Sequence, residues 1–415
     1  MNVQAESRSR RILVGLGLAA LLGFAAWRSL TLGLADHLSR SQPDAALAWR
    51  AAHPEAQLRR LDKQARGAVI PTGQEAAARA AIRAAPLDGR GYRLLAQQAE
   101  LGGDSASARS LYSLAAARGP RDLPTLRWLA HDALARGDYA RALGQIDLML
   151  RLQPQLAQFL HRALVGLAMH PRAQEDVAKL LVRAPPWRSE FMPFLIGRSP
   201  DGTALFALME RLRRVPGGLS DSELSKWIDR LVHDREWGSA YLIWAQSLSP
   251  AASQRIGNIY NGSFEREPSH SGFDWRFVQL PGAQMSRAQV TGAKDHLALR
   301  VAFEDRRVPF KNVSQLLALA PGKYRLGGQV RLDDLRSERG LVWTLTCAED
   351  QRPIGETEPM SGRREWTRFA LDFEVPVAEC GGQWLTLHVP ARIPAEQLVG
   401  GEAWFDDLQV QAISR

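Results

Sequence analysis

Between residue 43 and Pro250 the apolar positions recur three or four apart, and from Arg255 onward they recur at every second position. The first spacing lays one helix face on a core, and the second belongs to half-buried strands. The chain therefore reads as helical first and β second. The change falls at "NIYNGSFE", residues 258–265, whose Asn261-Gly262 pair is a turn signal. Ahead of both lies "ILVGLGLAALLGFAAWRSLTLGLA", residues 12–35, whose only charge is Arg28. About 20 apolar residues cross a bilayer as a helix, and an Arg near the far end snorkels to the headgroups. Residues 1–11 carry Arg8, Arg10 and Arg11. Basic residues stay on the cytoplasmic side. The expectation is a single-pass anchor in a bacterial inner membrane, with a cytoplasmic tail and the bulk of the chain in the periplasm. Gly23-Phe24-Ala25 offers a competing signal-peptide cleavage site, but the apolar run resumes from Leu30 to Leu34.

The helical stretch, 43–250, repeats itself. Prolines 54, 86, 120, 154 and 186 stand 32, 34, 34 and 32 residues apart, and each interval holds two short amphipathic segments. Such a period is that of stacked helix pairs. Units 88–120 and 122–154 align without gaps, and here the chain resembles the tetratricopeptide repeat family. Tyr92, Leu95, Ala96, Ala99, Ala108, Tyr112, Ala115 and Pro120 fall on its signature positions, as do Leu126, Leu129, Ala130, Ala133, Ala142 and Pro154. Ile146 and Met149 depart from the pattern, and units beyond 155 keep little beyond length. Capping boxes at Thr72 to Glu75 and Ser220 to Glu223 mark helix starts. The resemblance implies an α-solenoid whose curved surface holds a protein partner. Trp128, Trp227, Trp237 and Trp244 read as packing residues within it.

Residues 256–415 read as a sandwich of short strands separated by Pro, Gly and Asp turns. "NGSFE", "FDWRF", "LAPGKYRLGGQVRL", "REWTRFALDFEVP" and "AWFDDLQV" occur in that order. This order resembles carbohydrate-binding modules of the family 4/9/22 type, which have a galactose-binding-like jelly-roll fold. The whole chain is then multidomain, α then β: a membrane helix, an α-solenoid and an antiparallel β-sandwich. This architecture resembles membrane-anchored accessory proteins of bacterial exopolysaccharide systems.

Alternation selects the candidate glycan contacts. In "QWLTLHV" Leu385, Leu387 and Val389 point inward, leaving Trp384, Thr386 and His388 on the other face. In "KYRLGGQVRL" Arg325, Gln329 and Arg331 face away from Tyr324, Leu326, Val330 and Leu332. A sugar ring stacks its CH face on an aromatic while Arg, Gln or His grip its hydroxyls. Trp384, His388, Gln329, Arg331, Arg325 and the parity-ambiguous Trp275 are therefore the candidate carbohydrate-binding residues. Trp343 reads as core. The resemblance further implies a structural Ca²⁺ held by Glu265 and Asp406, oxygen ligands joining the two ends of the module. The alternative is that Glu265 closes a turn and Asp406-Asp407 forms a bulge. Cys347 and Cys380 either pair as a disulfide or stay as small buried hydrophobes.

Net charge is +9, but only six of the 53 basic residues are lysines and the arginines are scattered. That composition reads as a high-GC bacterial genome, and no nucleic-acid-binding signature accompanies it. No GxSxG, P-loop or metal-ligand motif is present. A glycan hydrolase or lyase would need a carboxylate pair drawn from residues such as Glu265, Glu356 and Asp406, and no such pair is placed by the sequence. The expectation is a noncatalytic scaffold, with a jelly roll that binds glycan or docks on envelope machinery. A purely protein-binding jelly roll is the alternative.

Overall fold

The computed structural model describes residues 3–65, 74–290 and 296–413. Thr72, which opens the first expected capping box, lies outside them. The chain forms two compact units that divide between Phe191 and Met192.

The first unit begins with α1 (Val3–Ser39). Its segment Leu16–Ser39 has a mean hydropathy of 1.5 and is long and apolar enough to cross a membrane. There follow α2 (Pro43–Trp49), α3 (Pro54–Ala65), α4 (Gln74–Ala84), α5 (Gly89–Leu101), α6 (Ser105–Arg118), α7 (Leu123–Ala135) and α8 (Tyr139–Leu152). Then come α9 (Ala157–Met169), α10 (Gln174–Val182) and α11 (Arg188–Arg198), within which the division falls. From α5 to α8 each helix opens on an Asp, namely Asp88, Asp104, Asp122 and Asp138, whose carboxylate accepts a backbone N–H of the first turn. Those donors have no partner inside the helix, which is why Asp recurs there. Ala96, Ala108, Ala115, Ala130, Ala133 and Ala142 are all buried, so the helices approach closely where these small side chains meet. Tyr112 stacks on Trp128 with ring centroids 4.1 Å apart. Arg93, 2% exposed, pairs with Asp62 of α3 and with Asp122, 2.8 Å away at the start of α7.

The second unit opens with α12 (Gly202–Arg213), α13 (Asp221–His233), α14 (Trp237–Ser247) and the single turn α15 (Pro250–Ser253). The Ser220–Glu223 capping box is formed in full at the start of α13. Ten strands follow: β1 (Arg276–Phe277), β2 (Ala283–Gln289), β3 (Leu297–Arg307), β4 (Val313–Leu317), β5 (Gly322–Ser337), β6 (Val342–Cys347), β7 (Pro353–Glu356), β8 (Gly362–Val375), β9 (Gln383–His388) and β10 (Leu398–Ala412). They form two antiparallel sheets, ordered β1-β4-β9-β6-β7 and β2-β3-β10-β5-β8. The inner faces close on one core containing Phe264, Trp275, Trp343 and Phe405, each fully buried. Cys347 and Cys380 form a disulfide at its margin.

The helical hairpin α13–α14 belongs to this unit. Trp244 lies against Gly272, whose added Cβ would stand 2.4 Å from the indole, and edge-on to Tyr260. Trp237 lies against Gly381 and Gly382 in the same way. Ser225 of α13 bonds Ser271 at 2.8 Å. Trp227 and Trp244 are buried packing residues. The turn at 261–262 ties the start of the sandwich to its end: Leu408 N–H donates to the Gly262 carbonyl at 2.9 Å. Asn261 takes the left-handed conformation, φ 53°, while Gly262 is required by proximity, since a Cβ there would stand 1.9 Å from the Leu408 oxygen.

Candidate functional site

Leu385 and Leu387 of β9 are fully buried in the core. The pleat therefore turns Trp384, Thr386 and His388 to the outer face of their sheet, as alternation requires. Pairing of β9 with β4 and β6 brings Ser314, Thr344 and Thr346 beside them. The result is an open groove of about 540 Å³, lined also by Arg276, Lys311, Gln351 and Glu356.

The groove has an aromatic end and a polar end. At the first, the Arg276 guanidinium carbon lies 5.1 Å from the centre of the Trp384 ring. A cation against an indole face is attracted by the ring's quadrupole. Arg276 also donates to Asp229 of α13 at 3.2 Å, so the helical hairpin holds the group at the groove. At the polar end Thr344 Oγ1 stands 2.8 Å from His388 Nε2 and donates to Glu356 Oε2 at 3.0 Å. Burial depresses the His388 pKa, with the Glu356 carboxylate pulling the other way, so the ring is neutral near pH 7. The lining thus combines an indole with a guanidinium, an ammonium, a neutral imidazole, a carboxylate and several hydroxyls. Such a set suits a flat, hydroxyl-bearing ligand.

The candidate residues do not form one site. Trp384 and His388 share this groove. Arg325, Gln329 and Arg331 lie on the outer face of the opposite sheet, along β5. Parity within each strand was right, but it carries no information about which strands share a sheet. Trp275 is no ligand platform: its ring is fully buried between Phe264 and Trp343, and its indole N–H donates to the Asn261 carbonyl at 3.0 Å. Its inward orientation is what turns the next residue, Arg276, outward into the groove. Arg276 was therefore discoverable from sequence once Trp275 is placed in the core. Thr344 and Glu356 were not, because strand pairing brings them in from distant parts of the chain.

Glu265 and Asp406 do converge, but on an imidazole. His296 places Nδ1 3.0 Å from Glu265 Oε1 and Nε2 2.7 Å from Asp406 Oδ2. Asp406 is 3% exposed and sits at the β10 bulge, where Asp407 takes φ 50°. Burial lowers the His296 pKa, but the Asp406 and Glu265 carboxylates together outweigh it and the net shift is upward. Burial pushes the Asp406 carboxyl upward. Calcium takes six to eight oxygen ligands. Among the described residues no cluster of three or more His, Cys, Asp or Glu is placed to hold a metal ion. In this arrangement the two carboxylates expected to hold Ca²⁺ are both engaged by the His296 imidazole.

The fold and groove define a β-sandwich unit with an open outer-face groove, carried behind helical elements. No family model matches the chain, and no curated protein sequence matches it. Among solved structures the chain is similar to a CBM4 module at 13% identity and a TM-score of 0.29, covering 37% of this chain and 99% of that one. It is also similar to the CBM22-1 xylan-binding domain of Xyn10C from Paenibacillus barcinonensis, at 11% identity, TM-score 0.26, 37% and 93%. TmCBM61 in complex with beta-1,4-galactotriose is similar at 20% identity, TM-score 0.25, 38% and 99%. The chemistry of the groove itself carries the functional reading.

Proposed function

We propose that this chain is a noncatalytic, membrane-anchored adaptor of the bacterial envelope whose sandwich binds glycan in the Trp384 groove. The observation that carries the reading is the juxtaposition of Trp384 and Arg276 with the Thr344–His388–Glu356 group in one open groove. The indole offers a stacking surface for a pyranose ring, and the polar end offers both donors and acceptors to its hydroxyls. Of the residues lining the groove only Glu356 carries a carboxylate, whereas glycoside hydrolysis uses two flanking the scissile bond. That favours binding over cleavage. The disulfide suits an oxidising compartment such as the periplasm, and the apolar α1 segment suits a single-pass anchor. The helix pairs of the first unit, read as tetratricopeptide-like repeats, would hold an envelope protein partner in exopolysaccharide assembly or export.

The test is titration of the full chain in detergent micelles against a panel of neutral oligosaccharides. Saturable binding that weakens at least tenfold, about 1.4 kcal/mol, in Trp384→Ala supports the reading. A flat panel, or binding indifferent to Trp384, sinks it and leaves the sandwich as a protein-interaction module.

A further inference from the structure

The outer face of the second sheet carries a groove of its own, of about 840 Å³. Its floor is bare because Gly327 of β5 stands opposite Ala370 of β8, so two neighbouring outward positions offer almost no side chain. Arg325, Gln329, Arg368, Asp407 and Gln409 stand around it. Its one lining carboxylate, Asp407, accepts from Gln329, and its Arg325 is held through two hydrogen bonds by Asp372.

Two guanidiniums on this face have no such partner. Arg368, opposite Gln329, makes no hydrogen bond or ion pair with a described residue. Arg331, one row along, lies over Trp404 at 4.7 Å and over Trp366 at 6.0 Å, and it likewise makes no hydrogen bond or ion pair with a described residue. The nearby Glu402 carboxylate is engaged by Arg300 and by the Trp404 indole N–H. A register shift in the β5–β8 pairing sets both Glu365 and Trp366 opposite Arg331, and such a bulge bends the strand and increases its twist. Trp366 remains partly exposed beside it. A planar guanidinium held between two indoles keeps its donors in one plane, and so loses little entropy on meeting a carboxylate. Elsewhere on this face Arg300 and Arg325 each hold a carboxylate from the chain itself. Arg331 acts on Glu402 through its charge alone, and neither Arg331 nor Arg368 has a carboxylate hydrogen-bonded to its donors among the described residues.

We propose that this face is a second polysaccharide site, selective for acidic chains: a polyuronate lies in the Gly327 groove and presents carboxylates to Arg368 and Arg331. The bare floor admits a sugar ring, Gln329 and Gln409 meet its hydroxyls, and Trp366 supplies apolar contact at the end. The site lies on the sheet opposite Trp384 and does not depend on that groove. A chain bound on each face would make the unit a cross-linker of polysaccharides.

The experiment titrates the full chain in detergent micelles with polygalacturonate, with its carboxyl-reduced form, and with polyphosphate. In the Trp384→Ala chain, where the first groove is disabled, polygalacturonate is expected to bind and the carboxyl-reduced polymer to bind at least tenfold more weakly. Arg331→Gln with Arg368→Gln should weaken polygalacturonate binding at least tenfold. Arg368→Glu alone, at an exposed side chain, should weaken it in the same direction without touching the Trp404 contact. No binding of polygalacturonate, equal binding of the carboxyl-reduced polymer, or equally tight polyphosphate binding with the same variant dependence would each overturn the proposal. So would loss of polygalacturonate binding in Trp384→Ala.

Discussion

Asp229 of α13 accepts a hydrogen bond at 3.2 Å from Arg276 of β1, the residue whose guanidinium lies against Trp384. A residue read from the sequence as part of the helical stretch thus fixes a side chain of the groove on the sandwich. The pair is solvated, with Asp229 51% exposed, so it adds little to stability. Exposed ion pairs contribute about 0–1 kcal/mol. Asp229→Ala should lower the melting temperature only slightly yet weaken glycan binding severalfold, because Arg276 loses its anchor. Calorimetric titration beside a thermal melt checks this. A variant with unchanged affinity would show that Arg276 needs no anchor.

The His296 clasp makes stability depend on pH. Its folded pKa is raised above the unfolded value, which is about 6.5. The clasp therefore stabilises fully below that value, and its contribution is lost as pH rises through the folded pKa. His296 is 42% exposed, so the contribution should be under about 1 kcal/mol. Melting temperatures between pH 6 and pH 9 should fall less steeply in His296→Gln than in the parent chain. Parallel slopes would remove His296 as the titrating group.

Reduction should weaken the sandwich specifically. Cys347 and Cys380 are 33 residues apart, and closing a loop of that size restricts the unfolded chain by about 3–4 kcal/mol. Calorimetry of the Cys347→Ala, Cys380→Ala variant should show the β transition lowered while the transition of the first unit stays in place. An unchanged β transition would mean the disulfide adds nothing.

In the first unit, Arg93 is the residue whose loss should do most damage. Replacing it by Met removes a guanidinium only 2% exposed that pairs with both Asp62 and Asp122. Removing one partner of a buried ion pair costs about 3–5 kcal/mol. Hydrogen exchange across residues 54–135 should accelerate in Arg93→Met, and protection equal to the parent's would refute the role assigned to it.

Periodicity alone determined much of this protein. The apolar segment, the helix pairs with starts 34 residues apart, the switch to strands and the inward or outward sense of residues 324–332 in β5 and 384–388 in β9 all follow from local geometry. A helix or a strand repeats its own face, so the pattern is written within a few turns or pleats. Tertiary structure decided which faces meet. It set Trp384 and Arg331 on opposite sheets, buried Trp275, brought Thr344, Glu356 and His388 together, and placed His296 between Glu265 and Asp406. Each of these joins positions from separate strands or loops. Strand order and register are settled by packing the whole core, and neighbouring positions along one strand hold no record of that choice.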